Sequence, residues 1–79
     1  MCKLRFPLEA GALIRGQIRN HLHKIKSDIE WKIEDSRVSI DEVKNLLSST
    51  FYVSIDNIDE AEAKVIKHSI EYWVENINR

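Results

Sequence analysis

The side chains in this sequence able to do chemistry are three histidines, one cysteine and a run of acids before the last helical stretch. His21 and His23 stand two residues apart, which on a helix turns their rings about 160° from each other, so they cannot share a metal ion. His68 has Glu71 three residues on, a two-ligand set with no identifiable third member. Cys2 has no second cysteine to pair with and no base beside it, so it reads as chemically bland. Asp56, Asp59, Glu60 and Glu62 lack the glycine and alternating ligands of a calcium loop, and they suit the partial positive charge of a helix N-terminus. Gly11 and Gly16 have the spacing of a phosphate loop's outer glycines, but no Lys-Ser/Thr follows. These patterns predict no catalytic residue, no metal site, no cofactor and a non-enzymatic protein.

Two features point to binding instead. Residues 1–32 hold seven basic and three acidic side chains, a balance of +4, while residues 33–79 hold five basic and ten acidic, a balance of −5. On a helix Arg15, Arg19 and Lys26 fall within about 40° of one another, with His23 a little further round, and together they form a ridge able to contact phosphate. The same ridge could instead pair with Glu60, Glu71 and Glu75 inside the fold or across a dimer. Trp31 lies off the apolar stripe of its segment, on the side shared by Leu13, Gln17, Asn20 and Lys24. A large aromatic on a second face suits a partner contact, so Trp31, Leu13, Gln17 and Lys24 form the candidate protein-binding set. The alternative is a tryptophan half-covered by Leu4 and Phe6 of the N-terminal arm.

The elements that must position these groups read as helical. Ile14, Ile18, Leu22, Ile25, Ile29 and Ile33 recur at helical spacing, and Pro7 suits a first turn, which predicts helix A over 8–35 after an N-terminal arm, 1–7. Ser39-Ile40-Asp41-Glu42 has the S-x-x-E pattern of a capping box, and Ile40, Val43, Leu47 and Phe51 share a helical face, predicting a short helix B over 39–49. Val53-Ser54-Ile55-Asp56 repeats Val38-Ser39-Ile40-Asp41, and the preferred reading makes both copies helix entrances; a two-stranded ribbon between the helices is the alternative. Helix C is predicted over 57–77. Its apolar residues cover more than half its circumference, with Ile58, Ala61, Val65 and Tyr72 on one side and Ile66, Ile70, Trp73 and Ile77 on another.

With 79 residues, 43% apolar and 32% charged, and only two glycines and one proline, the chain suits one small folded domain. The expectation is an all-α, three-helix arrangement, completed as a bundle by dimerisation. The wide apolar arc of helix C and the lack of catalytic groups predict a cytoplasmic protein-binding module: a regulator, inhibitor or adaptor acting through exposed helix faces as a homodimer. The alternative is a nucleic-acid-binding regulator using the ridge of helix A. No membrane partner is expected, since no apolar run approaches the length of a span.

Overall fold

The computed structural model describes residues 2–78, apart from the side chain of Cys2, on which the sequence reading of that thiol depends. The chain runs β1 (Cys2–Gly11), α1 (Arg15–Lys32), β2 (Arg37–Lys44), β3 (Ser48–Ile58) and α2 (Glu60–Asn78). The strands form one sheet in the order β1-β3-β2, with β3 antiparallel to both neighbours. This is an α+β fold, and the all-α three-helix bundle expected from periodicity is wrong.

Three local readings account for that error. The expected arm 1–7 and the first turns of helix A are strand β1, where Leu4, Phe6, Leu8 and Ala10 alternate inward against Ile55, Val53, Phe51 and Ser49. Period-2 burial governs that segment, and the helical spacing of the isoleucines starts only at Ile14. Pro7 opens no helix; it sits in an edge strand, where its missing N–H faces away from β3 and breaks no ladder bond. Helix A is correspondingly cut to Arg15–Lys32, with Ile14 at its start making no side-chain cap.

Helix B does not exist. Residues 39–44 belong to β2 and 48–49 open β3, joined by a hairpin turn in which Asn45 N–H donates to Ser48 O (2.7 Å). The two Val-Ser-Ile-Asp copies are strands that pair with each other: Val38 faces Ile55, Ser39 faces Ser54 and Ile40 faces Val53. Their shared pattern of β-branched residues in alternation with polar ones fits a half-buried strand, and the S-x-x-E match at Ser39–Glu42 is coincidental. Helix C survives as α2, three residues shorter at its start because Asn57 and Ile58 finish β3.

Both helices lie on one face of the sheet, α1 mainly over β2 and α2 mainly over β1. The core joins Phe6, Leu8, Phe51, Val53 and Ile55 from the sheet to Ile18, Leu22 and Ile29 of α1 and Ala63, Ile70 and Val74 of α2. The isoleucine stripe anticipated for the first helix therefore does face the core. At one end of the sheet Asp35 and Asn57 adopt left-handed backbone conformations, which Asp and Asn tolerate better than other side chains, and Asn57 Nδ2 donates to Asp35 O (3.1 Å). Ser36 Oγ donates to Asn57 O (3.1 Å), tying the α1–β2 turn to the end of β3.

Phe51 is fully buried on the central strand, under both helices. Phe51→Ala is expected to cost about 3–5 kcal/mol in the denaturant-unfolding free energy; a loss below about 1 kcal/mol would contradict its place at the centre of the core.

Candidate functional site

The basic ridge is the first candidate, and the structure turns it toward the edge of β2. Arg19 forms a two-pronged ion pair with Glu42, Nε to Oε1 at 2.6 Å and Nη2 to Oε2 at 2.9 Å. The buried Ser49 hydroxyl also donates to Glu42 (2.8 Å). These hydrogen bonds, the guanidinium's first, hold the Glu42 carboxyl down to about 2 although partial burial pushes the other way. Lys26 donates to Glu30 (3.0 Å), whose other oxygen accepts the Val38 N–H at the outer edge of β2 (3.2 Å). Glu30 is held below the ordinary carboxylate range by those two contacts, Lys26 first. Arg15 Nη1 donates to Asn45 O at the end of the same strand (2.9 Å).

Arg19 thus grips β2 directly, Lys26 acts on it through Glu30, Arg15 holds the turn that follows it, and the fourth ridge residue, His23, is exposed. Of the acids expected to answer the ridge, Glu60 pairs instead with Lys64 on α2 (3.6 Å). Sequence spacing could place the cations on one helix face, but only the sheet brings Glu42 and Ser49 beneath them.

The second candidate is the surface between and above the two helices. His21 of α1 stacks on Trp73 of α2, ring centroids 3.6 Å apart. Beside this pair runs a cleft of about 370 Å³ between the helices, walled by Ile25, Ile29, Ile66, Ser69 and Ile70. Partial burial, and then the charge of Lys24, lower the pKa of His21, which favours the neutral ring against the indole. Ser69 also borders a shallow hollow on the crest of α2 with Lys64, Val65, His68 and Tyr72. At 100° per residue Val65 and Tyr72 point about 180° away from the core residues Ala63, Ile70 and Val74, and both are exposed. The apolar residues of α2 thus lie in two sectors, one running from the core to Ile66 and Trp73 in the cleft and one at Val65 and Tyr72 on the crest, with Glu62, Ser69 and Asn76 between them.

Of the predicted partner set, three residues lie on the solvent side of α1 and the fourth lies outside the helix, and none of the four lines the cleft or the crest hollow. Gln17, Lys24 and Trp31 fall within about 40° of one another on α1, on the shoulder above His21 and toward α2. All three are exposed, and Trp31 is 88% exposed. Leu13 precedes the helix, in the β1–α1 turn, and is also exposed. The alternative cover for Trp31 is absent, because Phe6 is buried within the sheet and Leu4 packs against the core. Sequence reasoning missed the His21–Trp73 stack, for which the only signal was an imidazole beside the apolar stripe. His68 and Glu71 lie on exposed parts of α2, and no group of three or more metal-ligating side chains occurs among the described residues.

Comparison of the chain with protein-family models, curated proteins and solved structures finds no match. The site is read from its own chemistry.

Because Glu42 has its carboxyl pKa lowered by the fold, its contribution to stability is present above the unfolded carboxylate value of about 4.5 and is lost as pH falls from there toward 2. Arg19→Gln is therefore expected to unfold at lower denaturant than the parent at pH 7 and at nearly the same denaturant near about pH 2. An equal gap at both pH values would show that the pair does not act through the Glu42 charge.

Proposed function

We propose that this chain is a small non-enzymatic protein-binding module, a regulator, inhibitor or adaptor of the cytoplasm, acting through the exposed faces of α1 and α2 and self-associating there. The observation that carries the reading is the exposure of Val65 and Tyr72 on the crest of α2, beside a cleft in which Ile66 and Trp73 are only half-buried. An amphipathic helix laid along the cleft would meet Ile25 and Ile66 at its floor, with Trp31 and Tyr72 on opposite rims. That is the helix-in-groove mode, in which aromatic anchors at the rim carry much of the energy. A second copy offers the same chemistry, since its own α2 crest is an apolar helical face. No helix among the described residues is long and apolar enough to cross a membrane. The nucleic-acid alternative is not favoured by any contact, since Arg15, Arg19 and Lys26 are engaged on β2 and its neighbours.

Light scattering at micromolar concentration is expected to give a dimer mass for the parent and a monomer mass for the Val65→Ser/Tyr72→Ser double variant, with helical circular dichroism unchanged. Trp31→Ala should weaken association about tenfold or more without unfolding the chain. A parent that is monomeric throughout, or a dimer indifferent to all three substitutions, would contradict the proposal.

A further inference from the structure

A second apolar feature lies at the end of the fold where the β1–α1 turn meets the β2–β3 hairpin. Leu13, Leu46 and Leu47 are 100%, 90% and 81% exposed there. The two loops that carry them are fastened together: Ala12 N–H donates to Leu47 O (3.0 Å), Ile14 N–H closes the turn onto Gly11 O (3.1 Å), and Arg15 holds Asn45 O. The leucines therefore project from a braced base. Holding three large apolar side chains in water on such a base is unfavourable, and apolar clusters of this kind mark contact sites.

The charged residues next to the leucines along the chain are cationic. Arg15 and Lys44 flank the leucines, and the first turn of α1 contains no acidic residue. Two acids of the strands that lead to the tip are committed or turned aside: Glu42 is held by Arg19 and Ser49, and Glu9 alternates onto the face of the sheet away from the helices. We propose that this tip docks on a lipid surface carrying anionic headgroups, with Leu13, Leu46 and Leu47 entering the boundary between headgroups and acyl chains and Arg15 and Lys44 meeting the phosphates. A lipid surface fits better than a protein pocket because Leu46 and Leu47 stand out on a hairpin end, and a deformable apolar layer under an anionic plane answers both the leucines and their cationic collar. The polar backbone of the two loops stays at headgroup depth, as it must where hydrocarbon offers it no hydrogen bonds. Such contact needs no spanning helix and does not depend on the helix-face reading.

The test is co-sedimentation of the full chain with vesicles of phosphatidylcholine alone and of phosphatidylcholine with about one-third phosphatidylserine, at low and physiological salt. The expected result is binding to the phosphatidylserine vesicles that weakens with salt, falls about tenfold in Leu46→Ser/Leu47→Ser and about fivefold in Lys44→Glu, and is unchanged in Val65→Ser/Tyr72→Ser. Leu13→Ser supplies a second tip variant with circular dichroism as the control for folding. Three results would overturn the proposal. The first is no sedimentation with either vesicle, and the second is sedimentation indifferent to the tip substitutions. The third is a set of tip variants that lose self-association in place of vesicle binding, which would make the tip a protein interface.

Discussion

Everything in this fold is arranged around β3, the one strand hydrogen-bonded on both sides. Ser49, Phe51, Val53 and Ile55 point from it into the core and are buried, so a shift of one residue in either pairing would expose that whole row. Three strands spaced about 4.8 Å apart are matched in width by two helices packed about 8–10 Å axis to axis. With α1 over β2 and α2 over β1, the line between the helices falls above β3, and the cleft walled by Ile25, Ile29, Ile66 and Ile70 runs along it. A sheet of this width can cover only the inner face of each helix. The rest of the apolar arc of α2 must either be covered by something else or meet water.

The polar side chains follow from the same constraint. Both outer strands are edges with unpaired backbone groups, a liability that folded proteins suppress. On β1 the edge carries Pro7, together with Lys3 and Arg5 directed to the open face; Lys3 lies 3.8 Å from Asp56 and the Arg5 guanidinium lies over the Tyr52 ring. On β2 the task falls to α1, whose Glu30 accepts the Val38 N–H and whose Arg19 fixes Glu42. A cluster of cations that could bind phosphate in an isolated helix is here part of the device that seals a strand edge. Among the described residues the most exposed large apolar side chains gather on the α2 crest and at the leucine tip, with Trp31 on α1, while the open face of the sheet is largely polar.

Much of the helical half was legible in the sequence. The Ile18–Leu22–Ile29 stripe and the acids Glu60 and Glu62 of the last helix's first turn are local signals, set by 3.6-residue spacing and the helix dipole, whereas Asp56, grouped with them in sequence, belongs to β3. The width of the apolar arc on α2 was also legible, and with it the expectation that one neighbour could not cover it. The sheet was not, because Ile40, Val43, Leu47 and Phe51 satisfy a helical face as well as Val38, Ile40, Phe51, Val53 and Ile55 satisfy strands. Short segments carry both periods, and what decides between them is pairing between residues five to 19 positions apart in the β2–β3 hairpin and 37 or more apart between β1 and β3. The repeat of Val-Ser-Ile-Asp was the one clue to that pairing, since two strands of like pattern can lie side by side with their apolar residues on one face. Glu42 and Ser49 as partners of Arg19 were invisible for the same reason, as were Leu46 and Leu47, which belong to the core face of a helix but to the tip of a hairpin.

The most direct test of this account is the set of Hα–Hα nuclear Overhauser effects across the sheet. Val38 gives its N–H outward to Glu30 and Pro7 has none to give, so Ile40 with Val53 and Pro7 with Tyr52 are non-hydrogen-bonded pairs, whose Cα atoms approach to about 4.5 Å. The account predicts strong Hα–Hα effects for both pairs. Their absence, with helical Hα(i)–HN(i+3) connectivities running through residues 39–49 instead, would contradict it and return the chain to a bundle.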